Sequence, residues 1–518
     1  MSSKTPYFTV DSQTTAESLV GELPSLFQLI EIPGSKHIQT LLDTFDWRLF
    51  SAGWQLRMQG APGSLILSSL DGRKQFCICS NETLPRFVTD IEDPQIRNLL
   101  QPVIEMRALL PRARISSNTR KFNILNKKEK AVACLHIIDT IVRPPSGRQR
   151  TSLATAVQLL PAHGNNKKLA SVKKAMKDRF KLTVADPGQY LATLEVAGAT
   201  PGDYNNRIDV TLTADMNAHT ATRKILSSQL EVIKNNLDGT RKNIDSEFLH
   251  DFRVSIRRTR SALSQIKGVF ADNRVEYFKS QFGWLGEVTG STRDLDVLLN
   301  SYNDYRDSLP PPLCDDLDPF QEFLVNHQRS EQQTMRRRLS TRKFKELLSD
   351  WEAFIDEQAL PDTENAARPV TQLAQERIWK MYRRVLRQGR AITDTTTNEE
   401  LHELRKSCKK LRYLIEFFSS LYPSNTIHPV TKRLKKLLDN LGEYNDTTVQ
   451  VESIENYARH MAEDGIYSSR AFIAMGALIG NLFRRQATIR KDFNKQFKAF
   501  DTNANRRNYR KLFKQAGQ

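Results

Sequence analysis

The chain has 518 residues, of which 39% are hydrophobic, so it has the apolar content for about two to four globular units and is not a disordered chain. Its 77 Lys and Arg residues exceed its 59 Asp and Glu residues. The formal net charge of +18 favours an anionic partner without distinguishing nucleic acid, a membrane surface and a phosphorylated polymer. The five scattered cysteines lack C-x-x-C spacing, which argues against a disulfide framework and a zinc site.

Short segments with β-type alternation dominate the region up to residue 215. Residues 64–79 predict two strands around the turn Asp71-Gly72, and residues 121–139 predict two more around 126–130. Residues 206–215 alternate in the same way and predict another strand, and residues 166–180 predict a helix. We therefore expect an α+β domain over residues 1–215.

Long amphipathic segments with few Gly or Pro residues follow, which is typical of helical bundles. They cover 219–237, 247–269, 319–349, 371–391, 398–421, 428–442 and 447–463. Pro-rich and Asp-rich breaks separate them. We expect residues 216–518 to form an all-α domain.

A basic pattern occurs twice in this second region. "FLHDFRVSIRRTRSAL" at 248–263 and "ELHELRKSCKKLRYLI" at 400–415 each place a histidine ahead of basic residues at +3, +7, +8 and +10. The two copies are 152 positions apart, and the same offset relates Gly290, Asp294 and Val297 to Gly442, Asp446 and Val449. One constant offset indicates an internal repeat, about 219–300 and 371–455.

Each copy places its cations on one side of a helix. At 100° per residue, His250, Arg253, Arg257 and Arg260 fall within about 80° of each other. We call these four residues the first stripe, and His402, Arg405, Lys409 and Arg412 the second stripe. Similar spacing adds Arg377, Lys380, Arg384, Arg387, Lys432 and Lys435 as further walls of one basic surface.

Two interpretations of the stripes are open. A charge-rich helix face is often only solvated, but few acidic residues offset these bases, and like charges one turn apart repel each other. A functional basic groove that holds an external anion accounts for this imbalance. The histidines could contact phosphate, make a structural hydrogen bond or bind a metal, and Asp294 and Asp446 could cap helices or orient arginines.

The repeated motifs resemble those of the CHAD domain. "LHDFRVSIRRTRSAL", "TGSTRDLDVLL", "LHELRKSCKKLRYLIEFF" and "LGEYNDTTV" occur in the family's order and cover roughly residues 216–515. The resemblance implies two pseudo-symmetric four-helix bundles around a basic central cavity that binds inorganic polyphosphate.

The N-terminal half resembles a CYTH domain, through "LLDTFDWRLFSAGWQLRM" at 41–58. That resemblance implies a β-barrel tunnel whose E-x-E-x-K strand holds a divalent metal on a triphosphate. The chain contains no E-x-E-x-K, and Gln59 stands where the family pattern has a second arginine. We therefore expect a degenerate domain without catalysis, in which Arg57, Arg112, Arg114 and Lys130 are either tunnel residues or exposed strand charges.

The leading hypothesis is a non-enzymatic protein that binds inorganic polyphosphate and is recruited to polyphosphate granules. Alternatives are a metal-dependent triphosphatase of CYTH type and a nucleic-acid-binding protein; nucleic acid is disfavoured because the stripes lack interleaved aromatic residues. No cofactor or metal is expected. No apolar leader begins the chain, and its best apolar run, 471–483, is too short to cross a bilayer, so we expect a cytoplasmic protein without a membrane partner. The expected polymer contacts are His250, Arg253, Arg257, Arg260, Arg293, His402, Arg405, Lys409, Arg412 and Lys435, with Arg258, Lys410, Arg377, Lys380, Arg384, Arg387 and Lys432 as secondary candidates.

Overall fold

A computed structural model gives the fold of the chain. It describes residues 7–11, 14–60, 63–71, 73–81, 83–145, 147, 149–162, 166–185, 190–465 and 468–514. The chain divides into two compact units, Met1–Asn205 and Asn206–Gln518. The expected boundary at 215/216 falls inside the second unit, and the exact division of domains stays a prediction.

The first unit contains one antiparallel sheet. Its strands are β1 (Tyr7–Thr9), β2 (Gln28–Thr44), β3 (Trp54–Gly60), β4 (Gly63–Ser69), β5 (Gln75–Asn81), β6 (Leu109–Leu125), β7 (Ala131–Arg143), β8 (Thr151–Ser152), β9 (Ala156–Pro161) and β10 (Thr183–Ala185). The strands follow the order β10-β1-β9-β7-β6-β2-β3-β4-β5, and β8 pairs with β7. Adjacent strands in this path pair antiparallel, and β2 and β6 form its long centre.

Helices cover the sheet of the first unit. They are α1 (Ala16–Glu22), α2 (Arg48–Ser51), α3 (Pro94–Ile104), α4 (Asn166–Phe180) and α5 (Tyr190–Val196), with 3-10 turns at Leu23–Ser25 and Val88–Asp90. α3 buries Ile96, Leu100 and Ile104 against Leu56 and Leu65 of the sheet. The alternation of the strands supplies the apolar face that each helix covers.

The predicted strands on both sides of residues 71–72 and 126–130 are confirmed as β4, β5, β6 and β7, and the predicted helix is α4. Gly72 lies outside the described residues. The strand predicted at 206–215 is wrong. That segment packs Leu212 into the core of the helical unit, and its backbone bonds the Ser420 hydroxyl instead of a neighbouring strand.

The second unit is helical. Its helices are α6 (Ala218–Lys242), α7 (Ser246–Gln265), α8 (Asp272–Val288), α9 (Gly290–Asn300), α10 (Tyr302–Asp307), α11 (Pro311–Cys314), α12 (Asp318–Arg338), α13 (Arg342–Asp356), α14 (Val370–Arg390), α15 (Asn398–Phe417), α16 (Ser424–Glu463), α17 (Ser469–Phe500) and α18 (Asn503–Phe513). Further 3-10 turns lie at Asp315–Leu317 and Ser419–Leu421. The predicted fold class, an α+β region followed by an all-α region, is therefore confirmed.

The helix starts reproduce the sequence repeat. α6 and α14 begin at 218 and 370, α7 and α15 at 246 and 398, and α8 and α16 at 272 and 424, so the offset of 152 holds for all three pairs. α12 and α17 follow within one residue of that offset. The continuous α16 takes the place of α8 and α9 together. Each copy thus has four long helical elements.

Capping side chains fix the starts of the two stripe helices. Asp245 accepts hydrogen bonds from the backbone N–H groups of Glu247 and Phe248 at the start of α7. Thr397 and Glu400 form a reciprocal capping box at the start of α15. Such caps satisfy N–H groups that have no partner within the helix, and they set the rotation at which each stripe begins.

Two helix predictions differ from the structure. The segment 319–349 is two helices, because Thr341 caps a new helix and accepts from the Phe344 backbone N–H. The segments 428–442 and 447–463 are one helix, α16, which runs through Gly442 without a break.

Two apolar clusters stabilise the helical unit. The larger contains Phe252, Phe282, Trp351 and Leu404, and the smaller contains Leu295, Phe320 and Ile454 among its members. Of the helices in the described ranges, none combines the length and the apolar character needed to span a bilayer.

Candidate functional site: a basic surface on α7 and α15

The first stripe is held against the helix that follows it. The Arg253 guanidinium donates from Nη1 to the Gly286 carbonyl and to the Thr289 hydroxyl, both at 2.7 Å. Arg293 Nη2 lies 2.9 Å from His250 Nδ1, and since a guanidinium only donates, the imidazole nitrogen accepts. His250 therefore orients Arg293, which supports the structural interpretation of this histidine.

The second stripe repeats these contacts at the same sequence spacing. His402 Nδ1 lies 2.5 Å from Asn445 Oδ1, and residue 445 is the repeat equivalent of Arg293. Arg405 donates to Asp446 Oδ1 at 3.1 Å. Its equivalents in the first copy are Arg253 and Asp294, which also interact electrostatically. The repeat thus preserves the positions of these contacts, although Asn445 replaces Arg293 as the partner of the histidine.

The two stripes meet where α7 packs against α15. Burial, followed by the positive charges of Arg405 and Arg257, lowers the pKa of Lys409 to about 8. Arg405 also has a lowered pKa, first because of burial, and Arg257 contributes to this shift. Arg257 of one copy therefore lies within electrostatic range of Arg405 and Lys409 of the other.

The positive charges of this surface are only partly neutralised. Burial and then Arg257 lower the pKa of Arg253 to about 10, while Asp294 opposes the shift. The Nε atoms of Arg253, Arg257 and Arg405 are buried without an acceptor among the described residues. Buried donors without acceptors are costly, and a phosphate oxygen is an acceptor that arginine binds well.

A cavity of about 260 Å³ opens beside the first stripe, between α7 and α8, and we call it the first cavity. Arg253, Arg257 and Arg260 line it. A Cβ atom added at Gly283 or Gly286 would lie 3.9 Å from an Arg260 guanidinium nitrogen, an ordinary van der Waals contact, so both glycines lie next to that side chain in the cavity wall.

A larger cavity of about 1190 Å³, the second cavity, contains most of the secondary candidates. Those of its lining residues that were predicted from sequence are Arg377, Lys380, Arg384, Arg387 and Lys410. α7 and α8 contribute to both cavities, through Arg260 and Ser264 and through Gly283 and Lys279. Part of the basic surface expected from the sequence therefore lines two cavities, while the residues of the second stripe are not among the described lining residues of either.

The remaining predicted residues lie in three settings. Arg412 is paired with Glu416, with Nε and Oε1 at 2.6 Å. Arg258 is buried, lies 3.5 Å from Glu416 and donates to the Asn206 carbonyl, contacts that support a structural role. Lys432 and Lys435 are exposed on α16. The assignment of all these residues to ligand binding stays a prediction.

Sequence reasoning missed several partners of the stripes. Thr289, Gly286 and Asn445 belong to the following helices, and no local pattern connects them to α7 or α15. Glu416 could have been found, because it lies four residues after Arg412 on the same helix. Asp446 orients Arg405, as one of the two expected roles allows.

The basic residues singled out in the first unit have separate environments. Arg57 is largely buried on β3, and burial lowers its pKa. Arg112 donates from Nη2 to the carbonyls of Thr44 and Phe45, and its guanidinium lies 4.2 Å from the centre of the Trp47 ring. Arg114 and Lys130 are exposed. The tunnel of phosphate-binding residues implied by the CYTH resemblance stays a prediction.

Comparisons with known proteins agree with this architecture. Residues 224–455 match the sequence profile of the CHAD domain family. Two uncharacterized proteins of Mycobacterium tuberculosis are each 28% identical to this chain over 211 residues, which are 40% of this chain and 39% of theirs. The chain thus matches about two fifths of the length of these curated relatives.

Two solved structures are similar to the chain. The crystal structure of the CHAD domain from the plant Ricinus communis has a TM-score of 0.49 and 23% identity, and the similarity covers 58% of this chain and 97% of the plant domain. PptA from Streptomyces chartreusis has a TM-score of 0.40 and 16% identity, with 54% and 99% covered. From the profile match and the repeated helical architecture, the chain contains a CHAD domain, at residues 224–455.

Proposed function

We propose that the helical unit binds inorganic polyphosphate on the basic surface formed by the two stripes, without catalysing a reaction. The observation that carries this proposal is the approach of Arg257 on α7 to Arg405 and Lys409 on α15. Two stripes that repel each other in the free protein need an external polyanion to offset their charge. Membership of a domain family linked to polyphosphate supports the same ligand.

The chemistry of recognition fits a phosphate polymer. Arginine and lysine donate charge-assisted hydrogen bonds to phosphate oxygens, and a flexible chain can satisfy donors on two helices at once. Arg253, Arg257 and Arg260 line the first cavity, where a phosphate group could approach them. Recognition of this kind requires no general base and no metal. It would recruit the protein to polyphosphate granules in the cytoplasm.

The experiment compares long-chain polyphosphate binding by the parent chain, Arg257→Ala, Lys409→Ala and the double variant, using calorimetric titration. Hydrogen bonds to charged groups contribute about 1.5 to 3 kcal/mol each, so each single change should weaken binding about tenfold or more. The double variant should lose more than either single variant, because the two residues contact one polymer.

Arg342→Ala is the matched control, because Arg342 is an exposed cation on α13 and is not among the described lining residues of either cavity. It removes the same unit of charge and should leave the affinity close to that of the parent. Thermal melting should change little in all variants. A double variant that folds and binds like the parent would contradict the proposal.

A further inference from the structure

The lining of the second cavity contains an aromatic residue as well as cations, and an inorganic anion would contact only the cations. Of the lining residues that the structure describes, nine are cationic and one, Glu376, is acidic and paired with Arg368 at 3.0 Å. The half-buried indole of Trp379 also lines the cavity, on the same helix as Lys380 and Arg384. An inorganic polyphosphate has no apolar surface that could contact an indole.

The cations surround this indole from several helices. Arg384 lies on α14 and Lys410 on α15, close enough that Arg384 contributes to lowering the pKa of Lys410 after the larger effect of burial. Arg377 is held towards α7 by a hydrogen bond from Nη2 to the Lys267 carbonyl at 3.4 Å. The described lining of the cavity therefore combines cations from several helices with one indole.

One side of the Trp379 indole packs against the apolar core of the helical unit. Its ring centre lies 5.6 Å from that of Tyr382, with the planes 36° apart. An indole supported on one side and accessible from a cavity is suited to stack on a planar ring. Stacking of a nucleobase on an aromatic side chain favours binding and tolerates any base.

The size of the second cavity agrees with a ligand that has both parts. Sites for small molecules and cofactors enclose roughly 300 to 1,000 Å³. The second cavity, at about 1190 Å³, can hold a base, a ribose and several phosphates, whereas the first cavity, at about 260 Å³, is too small for them.

We propose that the second cavity binds a nucleoside polyphosphate, with the base against Trp379 and the phosphates against the cations of α14 and Lys410. This site includes residues that are also secondary candidates for polyphosphate contact, but the proposal rests on Trp379 and not on the two stripes. The ligand class follows from the pairing of one accessible indole with a cationic lining that is almost unopposed by acids.

The test uses the full chain and a fluorescent N-methylanthraniloyl derivative of ATP, displaced by ATP, by GTP and by inorganic tripolyphosphate. All three competitors carry three phosphates, and tripolyphosphate, which lacks the nucleoside, carries one more negative charge when fully ionised, so tighter binding of ATP and GTP cannot come from charge. ATP and GTP should displace the probe at about tenfold lower concentration than tripolyphosphate, the effect of one stacked base. Equal displacement by all three would overturn the proposal, because the cavity would then recognise phosphate alone.

Three variants separate the roles of the residues. Trp379→Leu should weaken ATP binding about tenfold and leave tripolyphosphate binding unchanged, and Trp379→Phe should retain most of the affinity for ATP. Trp284→Leu is the matched control, since Trp284 is a partly buried indole of the same unit that is not among the described lining residues. If Trp379→Leu binds ATP as tightly as the parent chain, the base does not stack on Trp379 and the proposal is wrong. If Trp379→Leu does not fold, a loss of ATP affinity in Trp379→Phe would likewise contradict the proposal.

Two further binding measurements distinguish the second cavity from other anion-binding sites on the chain. Arg257→Ala should weaken long-chain polyphosphate binding and leave ATP binding unchanged, so failure of one site is distinguishable from failure of the other. A single-stranded RNA of fifteen nucleotides should bind no more tightly than ATP. If the RNA binds more tightly and loses that affinity in Trp379→Leu, the second cavity is a nucleic-acid contact and the nucleotide proposal is wrong.

Discussion

Lys409 connects the charge of the basic surface to pH. Burial and the neighbouring Arg405 and Arg257 lower its pKa from 10.5 to about 8, against the opposing effect of Asp446. Because the folded-state pKa lies below the unfolded one, this lysine favours the folded protein above pH 10.5. That contribution is lost as pH falls through the window towards 8. A bound polyanion stabilises the charged lysine, so binding is coupled to the uptake of a proton by Lys409 when the pH is above about 8.

We expect the affinity for polyphosphate to fall as pH rises from 7 to 9, because the Lys409 ammonium must then be formed at the cost of a proton taken from solvent. Titrations at constant ionic strength would measure this dependence. Lys409→Arg is the control, since a guanidinium stays charged over the whole range and should flatten the profile. An unchanged slope in Lys409→Arg would contradict the assignment of the proton to Lys409.

At the residue scale, the sequence predicted the helix face on which a basic residue lies better than it predicted the hydrogen-bond partners of that residue. The helical period placed Arg253 and Arg405 on stripes, and the structure finds both helices. The groups that hold them, Thr289 and Gly286 for one and Asp446 for the other, come from other helices. Thr289 and Asp446 both belong to the motifs singled out from the sequence, but only Asp446 was expected there to orient an arginine. Contacts between elements depend on packing angles that no local pattern encodes.

At the scale of single elements, replacing either of two helical glycines by alanine is predicted to change the stability of the chain in opposite directions. A Cβ atom added at Gly389 on α14 would overlap the ring of Phe497, whereas one added at Gly442 on α16 meets no atom within 4 Å. Gly442→Ala should stabilise the chain by about 0.5 to 1 kcal/mol through reduced freedom of the unfolded state. Gly389→Ala should destabilise it by about 1 to 3 kcal/mol through overpacking.

Denaturant unfolding of the two variants checks this pair, and each serves as the control for the other. The same substitution in two helices isolates the effect of the neighbouring ring from that of helix propensity. Equal shifts of the unfolding midpoint would contradict the overlap at Phe497.

The predicted helix boundaries were correct where a capping side chain next to the boundary fixes it. They were wrong where packing against distant residues decides whether the helix continues. The starts of α7 and α15 agree with prediction to within one residue, and both carry a side-chain cap. The predicted separation of 428–442 from 447–463 was wrong, because apolar residues on both sides of Gly442 bury their side chains along one continuous helix. Tertiary burial of this kind overrides the weak helix propensity of one glycine.

For the whole molecule, the proposed function predicts strong salt dependence. Neutralising a polyanion releases its condensed counterions, with a logarithmic slope of about 0.7 per phosphate for a single strand. If each of the six cations of the two stripes neutralises one phosphate, a plot of log affinity against log salt should have a slope of about −4. Titrations between 50 and 500 mM salt, roughly the range over which such slopes are measured, would test it. An affinity independent of salt would remove the basic surface as the binding site.

The break between α8 and α9 makes the two copies of the repeat mechanically different. α16 is a single rod of 40 residues that passes through both apolar clusters, burying Leu434 in one and Ile454 in the other. In the first copy two shorter helices, α8 and α9, pack into the larger and the smaller cluster respectively, and they meet at Thr289. Thr289 also accepts the hydrogen bond from Arg253, so the first stripe is anchored at the junction of two helices. In the second copy the partner of Arg405 is Asp446, which lies inside the continuous helix α16, so the second stripe is anchored without such a junction.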